Sequence, residues 1–193
     1  MPDSIEPQMT DWIKEEQELR KDHTWSARPG CKIFVAGRGA LRFDYPQDWV
    51  VIPGENSFNF HDRQPPDDDI HLEVSILRLP PVDLSGLPVR DMIPAAIAGD
   101  TRDIKSRGEI QETRHGDVEI AWIESVFTDH QEGQDREART RLCLARCGTI
   151  QPIITMEFWP EDSERACAAW ENMLGSLELG MHIEDPTRGH TLH

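Results

Sequence analysis

The sequence predicts an α+β fold in which a single central antiparallel β-sheet is flanked by helices. Three observations carry that expectation. Apolar and polar residues alternate at period two in several segments between residues 31 and 159. Apolar residues recur at three-to-four spacing in two other segments, as on one face of a helix. The chain has 193 residues, enough for one core that needs no covalent staple. Sheet faces and amphipathic helices bury each other's apolar sides, so a sheet with a helix after each half is the economical arrangement.

The first thirty residues read as a charged arm. A short helix is expected over 11–22, anchored by Trp12, Ile13 and Leu19, with Thr10 placed to cap it and Asp11 to favour its positive end. Arg28-Pro29-Gly30 ends the arm. From Cys31 the period changes to two: a strand to Ala36, a turn at Gly37-Arg38-Gly39, and a strand over 41–45 whose apolar residues alternate with Arg42 and Asp44, as in a half-buried strand. Pro46-Gln47-Asp48 breaks it. Trp49 to Ile52 resumes an extended run, and a short strand from Ser57 to His61 places Phe58 and Phe60 on one face. Pro65-Pro66-Asp67-Asp68-Asp69 is a solvated loop by composition and self-repulsion. Ile70, Leu72, Val74 and Ile76 then alternate with His71, Glu73 and Ser75, the clearest strand in the chain.

Ser85-Gly86-Leu87-Pro88 reads as a helix entrance, and Val89, Met92, Ile93, Ala96 and Ile97 line one helical face, with Pro94 interrupting its hydrogen-bond ladder. A four-strand meander is expected over 107–159, with strands at 109–114, 118–127, 139–147 and 150–159 and a polar connection over 128–137. Glu161-Asp162-Ser163-Glu164 opens a second helix with Ala166, Cys167, Trp170, Met173, Leu174 and Leu177 on its apolar side, ending near Gly175 in a left-handed cap. Residues 176–179 add a last short strand. The domain organisation expected is therefore an arm at 1–30, one domain at 31–180 and a polar tail at 181–193.

Lys and Arg number 20 and Asp and Glu 36, for a net charge of −16. That field repels phosphate backbones and anionic bilayers, so neither nucleic acid nor membrane is an expected partner. The opening Met1-Pro2-Asp3-Ser4-Ile5-Glu6 has neither the basic nor the apolar stretch of an export signal, and a cytoplasmic location is expected. Cys31, Cys143, Cys147 and Cys167 form no paired motif, and Cys143 and Cys147, four apart on an extended strand, are too distant to bond. Cys167 reads as a small buried apolar residue; only Cys147, beside Arg146, has a basic neighbour of the kind that activates a thiol.

Phosphate-cradling glycine loops and a Gly-x-Ser-x-Gly elbow are absent from the sequence, and Ser85 and Ser163 are accounted for as helix caps. His71 and Glu73 lie two apart on a strand and so project from one face, which makes them the binding candidates. Two ligands of one ion could be arranged this way. A zinc deaminase, however, would need Pro-Cys-x-x-Cys, and the nearest run, Cys143 to Cys147, has the wrong spacing. The plainer reading makes His71 and Glu73 the wet side of an alternating strand. No catalytic residue, metal or cofactor is assigned. Trp25, Trp49, Trp122, Trp159 and Trp170 are taken as core, with an aromatic-lined pocket as the alternative.

The run Leu41-Arg42-Phe43-Asp44-Tyr45-Pro46-Gln47-Asp48-Trp49-Val50-Val51 resembles the opening of PsbP-like proteins, and Trp170-Glu171-Asn172-Met173-Leu174-Gly175-Ser176-Leu177 is similar to the same superfamily's last helix passing into a strand. That superfamily includes photosystem II extrinsic subunits, a Ran-binding import factor and uncharacterised bacterial proteins, and the order of elements matches over residues 31–180. The resemblance implies an α/β/α sandwich and a role in binding or stabilising a partner; it carries over no catalytic residue. The function expected is a non-catalytic protein-binding or assembly module, chaperone-like in character, for a partner with a basic surface. The alternatives are a metal-dependent or hydrolase-like enzyme using His71 and Glu73, and a small-ligand carrier.

Overall fold

A computed structural model describes residues 14–84, 86–130 and 135–189. In chain order its strands are β1 (Cys31–Ala36), β2 (Leu41–Pro46), β3 (Val50–Pro53), β4 (Ser57–His61) and β5 (Ile70–Arg78). Helix α1 (Val89–Ile97) follows, then β6 (Asp103–Arg107), β7 (Gln111–His115), β8 (Val118–Asp129), β9 (Arg136–Arg146) and β10 (Ile150–Phe158). A short 3-10 turn at Pro160–Asp162 leads into α2 (Ser163–Gly175), and β11 (Glu178–Leu179) comes last.

The fold is α+β and its strand pairs are antiparallel, but they form two sheets where the sequence predicts one. A three-stranded sheet runs β1-β2-β11, and an eight-stranded sheet runs β3-β4-β5-β10-β9-β8-β6, with β7 also on β8. The break falls at Pro46-Gln47-Asp48, where the chain leaves β2 and enters the large sheet at β3. Alternation says which residues share a face; it does not say which sheet that face belongs to. β6 escapes sequence reading because Asp103-Ile104-Lys105-Ser106-Arg107 carries one apolar residue, and its pairing with β8 shifts register between Ile104 and Ser106. β6 and β7 lie end to end along β8, facing residues 125–128 and 118–122 respectively.

The helices lie on opposite faces of the large sheet. Val89 and Ile93 of α1 pack against Ala121, Ile123 and Leu144. On the other face, Val74, Ile120, Cys143, Ile154 and Met156 meet Ala166, Ala169, Trp170 and Met173 of α2 together with Leu41, Phe43 and Tyr45 of the small sheet. The small sheet and α2 share the task of covering one broad apolar face, which neither could cover alone. Pro94 does lie inside α1, whose entrance is held by Arg146 Nη2 donating to Leu87 O at 2.7 Å.

Three local expectations are corrected. Gly175 is not left-handed: it stays helical, Ser176 Oγ donates to Asn172 O at 2.6 Å to satisfy the last turn, and the Arg28 side chain occupies the place a Cβ would take. Residues 14–22 contain no helix; Thr10, Asp11, Trp12 and Ile13 lie outside the described residues, as does Ser85. With so few apolar anchors, packing cannot offset the cost of nucleating a short helix. The arm is held instead by hydrogen bonds, from its backbone and from the Trp25 indole, to the carbonyls of residues 186–188. Arg20 N–H donates to Thr187 O at 3.0 Å, Thr24 N–H to Arg188 O at 2.7 Å, and Trp25 Nε1 to Pro186 O at 2.7 Å. The segment expected as a polar tail is therefore docked over its described part, with Ile183 2% exposed. His190 and His193 lie outside the described residues. No described helix is long and apolar enough to cross a membrane.

Candidate functional site

His71 and Glu73 sit on β5, on the face of the large sheet that α1 shares. Register places His61 and Glu157 beside His71, and Asn59 and Thr155 beside Glu73. Helix α1 lies over β8 and β9, so the β4-β5-β10 part of this face keeps its side chains half-buried against one another, neither sealed nor free. The strand signal thus located a real polar face.

The imidazoles of His61 and His71 stack in parallel, with centroids 4.5 Å apart and planes 4° from coplanar. His61 Nδ1 lies 2.8 Å from Asp68 Oδ2 and His71 Nε2 lies 3.0 Å from Asn59 Oδ1. Both oxygens accept, so each of those nitrogens carries its proton and, in the neutral rings, the other nitrogen is left as an acceptor. The loop supplying Asp68 is no loose, solvated run: buried Asp62 Oδ1 accepts from Asp69 N–H at 2.8 Å and Ile70 N–H at 3.0 Å.

Burial lowers the affinity of His71 for a proton below that of an ordinary histidine, and the neighbouring His61 lowers it further, against opposing pulls from Glu73 and Asp68. The sign follows from linkage. Unfolded chains bind a proton at the ordinary value of 6.5, so below it the unfolded state gains protons that the folded state resists, and stability falls with pH. We expect the thermal midpoint to drop between pH 7 and 5.5 and to drop less in His71→Gln. Equal slopes in the two proteins would remove the stacked pair as the cause.

At the far end of the face, Glu157 pairs with Arg102, which lies 4.6 Å from the Phe127 ring centroid and is held by Asp100 at 2.8 Å. Burial raises the Glu157 carboxyl above the ordinary range, Arg102 opposes the rise, and Asp129 and Asp100 add to it. Among the described residues, no group of three or more His, Cys, Asp or Glu is arranged to hold a metal ion. What the face offers is acceptors: two imidazole nitrogens, Glu73, Glu157 and Asp68.

A second cavity was invisible in the sequence. An open groove of about 690 Å³ runs between the small sheet and the β7–β8 turn, lined by Arg28, Arg42, Asp44, His115, Asp117 and Glu178 among others. Arg42 and Asp44, expected on the wet side of β2, are 5% and 1% exposed. Arg42 Nη2 lies 2.8 Å from Asp44 Oδ1 and donates to Ser26 O at 2.8 Å, while Nη1 donates to Ser176 O at 2.9 Å. Asp44 Oδ2 accepts from Arg28 N–H at 2.9 Å. The arm and the end of α2 close over this side of β2, and no periodicity in β2 announces that.

Of the thiols, Cys143 is fully buried and pushed well above the ordinary thiol range by desolvation alone, and Cys147 is raised by burial and by Asp117, so Cys147 is not the activated thiol its neighbour Arg146 suggested. Arg146 turns instead to Glu119 at 2.8 Å. The thiol that does meet a guanidinium is Cys167, at 3.0 Å from Arg141 Nη2. Trp25, Trp49 and Trp170 are buried as expected; Trp159 is half-buried under Arg136, 3.7 Å above its ring.

Comparison with known proteins places this geometry. The solution structure of cyanobacterial PsbP (CyanoP) from Synechocystis is similar to it at a TM-score of 0.51 and 10% identity, covering 80% of this chain and 95% of that one. A crystal structure from Bacteroides thetaiotaomicron is similar at 0.56 and 18% identity over 79% of this chain, which spans about half (49%) of that protein. The fold is thus PsbP-like. In sequence, the chain is 43% identical over 178 residues to the uncharacterised protein alr1449 of a Nostoc strain, covering 92% of each. Residues 32–183, which hold both sheets, both helices and the buried Arg42–Asp44 pair, match the Alr1449 family, and the chain belongs to that family.

Proposed function

We propose that this protein is a non-catalytic binding module that presents the β4-β5-β10 face to the basic surface of a partner protein. One observation carries the reading: the face is left uncovered by α1 and is dominated by acceptors around the stacked His61–His71 pair, which suits donors such as lysine and arginine. The net charge of −16 supports it by steering cationic partners toward the molecule.

The test places a photo-crosslinking residue at Glu73 and, as control, at exposed Gln47, in cells. A defined adduct from position 73 and not from 47 is expected. With that partner purified, Glu73→Lys should weaken binding about tenfold or more, equivalent to ~1.4 kcal/mol, and added salt should weaken the wild-type complex. Adducts identical at both positions, or turnover on a substrate panel that His71→Gln abolishes, would overturn the proposal.

A further inference from the structure

The groove between the sheets holds a buried ion pair whose hydrogen-bonding capacity is not used up. Arg42 Nε is buried with no hydrogen-bond partner in the protein, and Asp44 Oδ1, buried likewise, has only the ion-pair contact with Arg42 Nη2 at 2.8 Å, which is not aligned as a hydrogen bond. Glu178 Oε2, 3.7 Å from Arg42 Nε, balances charge but is beyond hydrogen-bond reach. A ligand group able to answer both atoms must accept from a guanidinium and donate to a carboxylate. An amide has that pattern.

One wall of the groove is itself backbone. β11 is an edge of the three-stranded sheet. Glu178 faces Arg42 in register, and Gly180 N–H donates to Ala40 O at 3.0 Å. In an antiparallel ladder the intervening residue turns its backbone groups the other way, so Leu179 directs its N–H and C=O away from β2, and Leu179 lines the groove. His115, Asp117 and Val118 form the opposite wall. An open trough beside a sheet edge suits an extended chain better than a metabolite that needs enclosure.

Charge selects the kind of chain. The groove's arginines are engaged within the protein: Arg42 by Ser26 O and Ser176 O, and Arg28 by Glu171 O at 3.4 Å and Asn172 Oδ1 at 3.2 Å. Asp117 and Glu178 stand on the walls, in a chain of net charge −16. We propose that this groove binds an extended peptide segment bearing lysine or arginine, which adds to β11 as a strand and lodges one amide against Arg42 and Asp44. The groove shares no residue with the His71 face, so it is a second site and stands apart from the function proposed above.

The probe is a library of N-acetylated hexapeptide amides with lysine fixed at alternate positions, titrated into the full-length protein, beside the same library with glutamate fixed. The lysine library should yield binders that slow amide exchange over residues 176–181. Methylating the central amide nitrogens of the best binder should weaken it about tenfold or more, and so should the surface variant Asp117→Lys, which leaves Arg42, Asp44 and Glu178 intact. Glu73→Lys should not change peptide affinity. No binding from the lysine library, equal binding of the glutamate library, protection away from 176–181, or indifference to N-methylation would overturn the proposal. A loss on Glu73→Lys would move the peptide to the His71 face and overturn the groove assignment alone.

Discussion

Replacing Asp44 with alanine is expected to cost about 3–5 kcal/mol, the range for removing one partner of a buried ion pair. The carboxylate neutralises Arg42, which is 5% exposed, and accepts the Arg28 N–H at 2.9 Å. Its loss leaves a cation without its closest counterion and a backbone donor without its acceptor. Glu178, 3.7 Å from Arg42 Nε, offers partial compensation and pulls the expected cost toward the lower end. For a chain of this size each kcal/mol moves the midpoint by roughly 2–4 °C, so a fall of roughly 10 °C is expected in a thermal scan. Arg42→Met combined with Asp44→Leu should recover most of it, because apolar residues of similar volume can replace a buried pair at little net cost. A drop of less than about 2 °C for Asp44→Ala would mean that the arm does not shield this pair from water as the structure shows.

Arg141→Ala is expected to destabilise by about 3–4 kcal/mol, through lost packing and lost cation–π contact together. Its guanidinium lies 5.3 Å from the Trp122 ring, 5.2 Å from Phe158 and 5.6 Å from Trp170, and Nε donates to Glu124 Oε2 at 2.8 Å. The residue therefore bridges the sheet to α2 across three aromatic faces. Arg141→Met separates the two contributions. It fills most of the volume but carries no charge, so it should recover roughly half of the loss. Lysine should do no better, since a compact ammonium reproduces neither the planar stacking nor the fork toward Glu124 and Cys167. Denaturant midpoints for the three variants check the order, and full recovery by methionine would assign the whole effect to packing.

The first of these sites lies where the sequence reading went furthest astray. Arg42 and Asp44 alternate with Leu41, Phe43 and Tyr45, and alternation normally marks a strand with one wet side. Here the other side of β2 is closed by residues 26–28 of the arm and by Ser176 at the end of α2, which are remote in sequence. Burial on that side is a property of the assembled layers. By contrast, the 70–76 alternation located β5 and its polar face correctly, because that face is open and depends on no distant cover. His71 and Glu73 were readable; their neighbours Asn59, His61, Thr155 and Glu157 were not, because each arrives on another strand through pairing.

Local pattern alone determined most of the elements: the hairpin at Gly37-Arg38-Gly39, β4, β5, both helices, and the β8-β9-β10 meander to within a few residues. Each of these is set by periodicity and turn residues that act within a dozen positions. The tertiary structure decided the division into two sheets, the docking of residues 181–189 onto the arm, the burial of Arg42, Asp44 and Arg141, and the groove beside β11. Those depend on which apolar face covers which, a choice made by the total area removed from water and the pairing of distant backbone groups, and neither quantity is written in any short stretch of the chain.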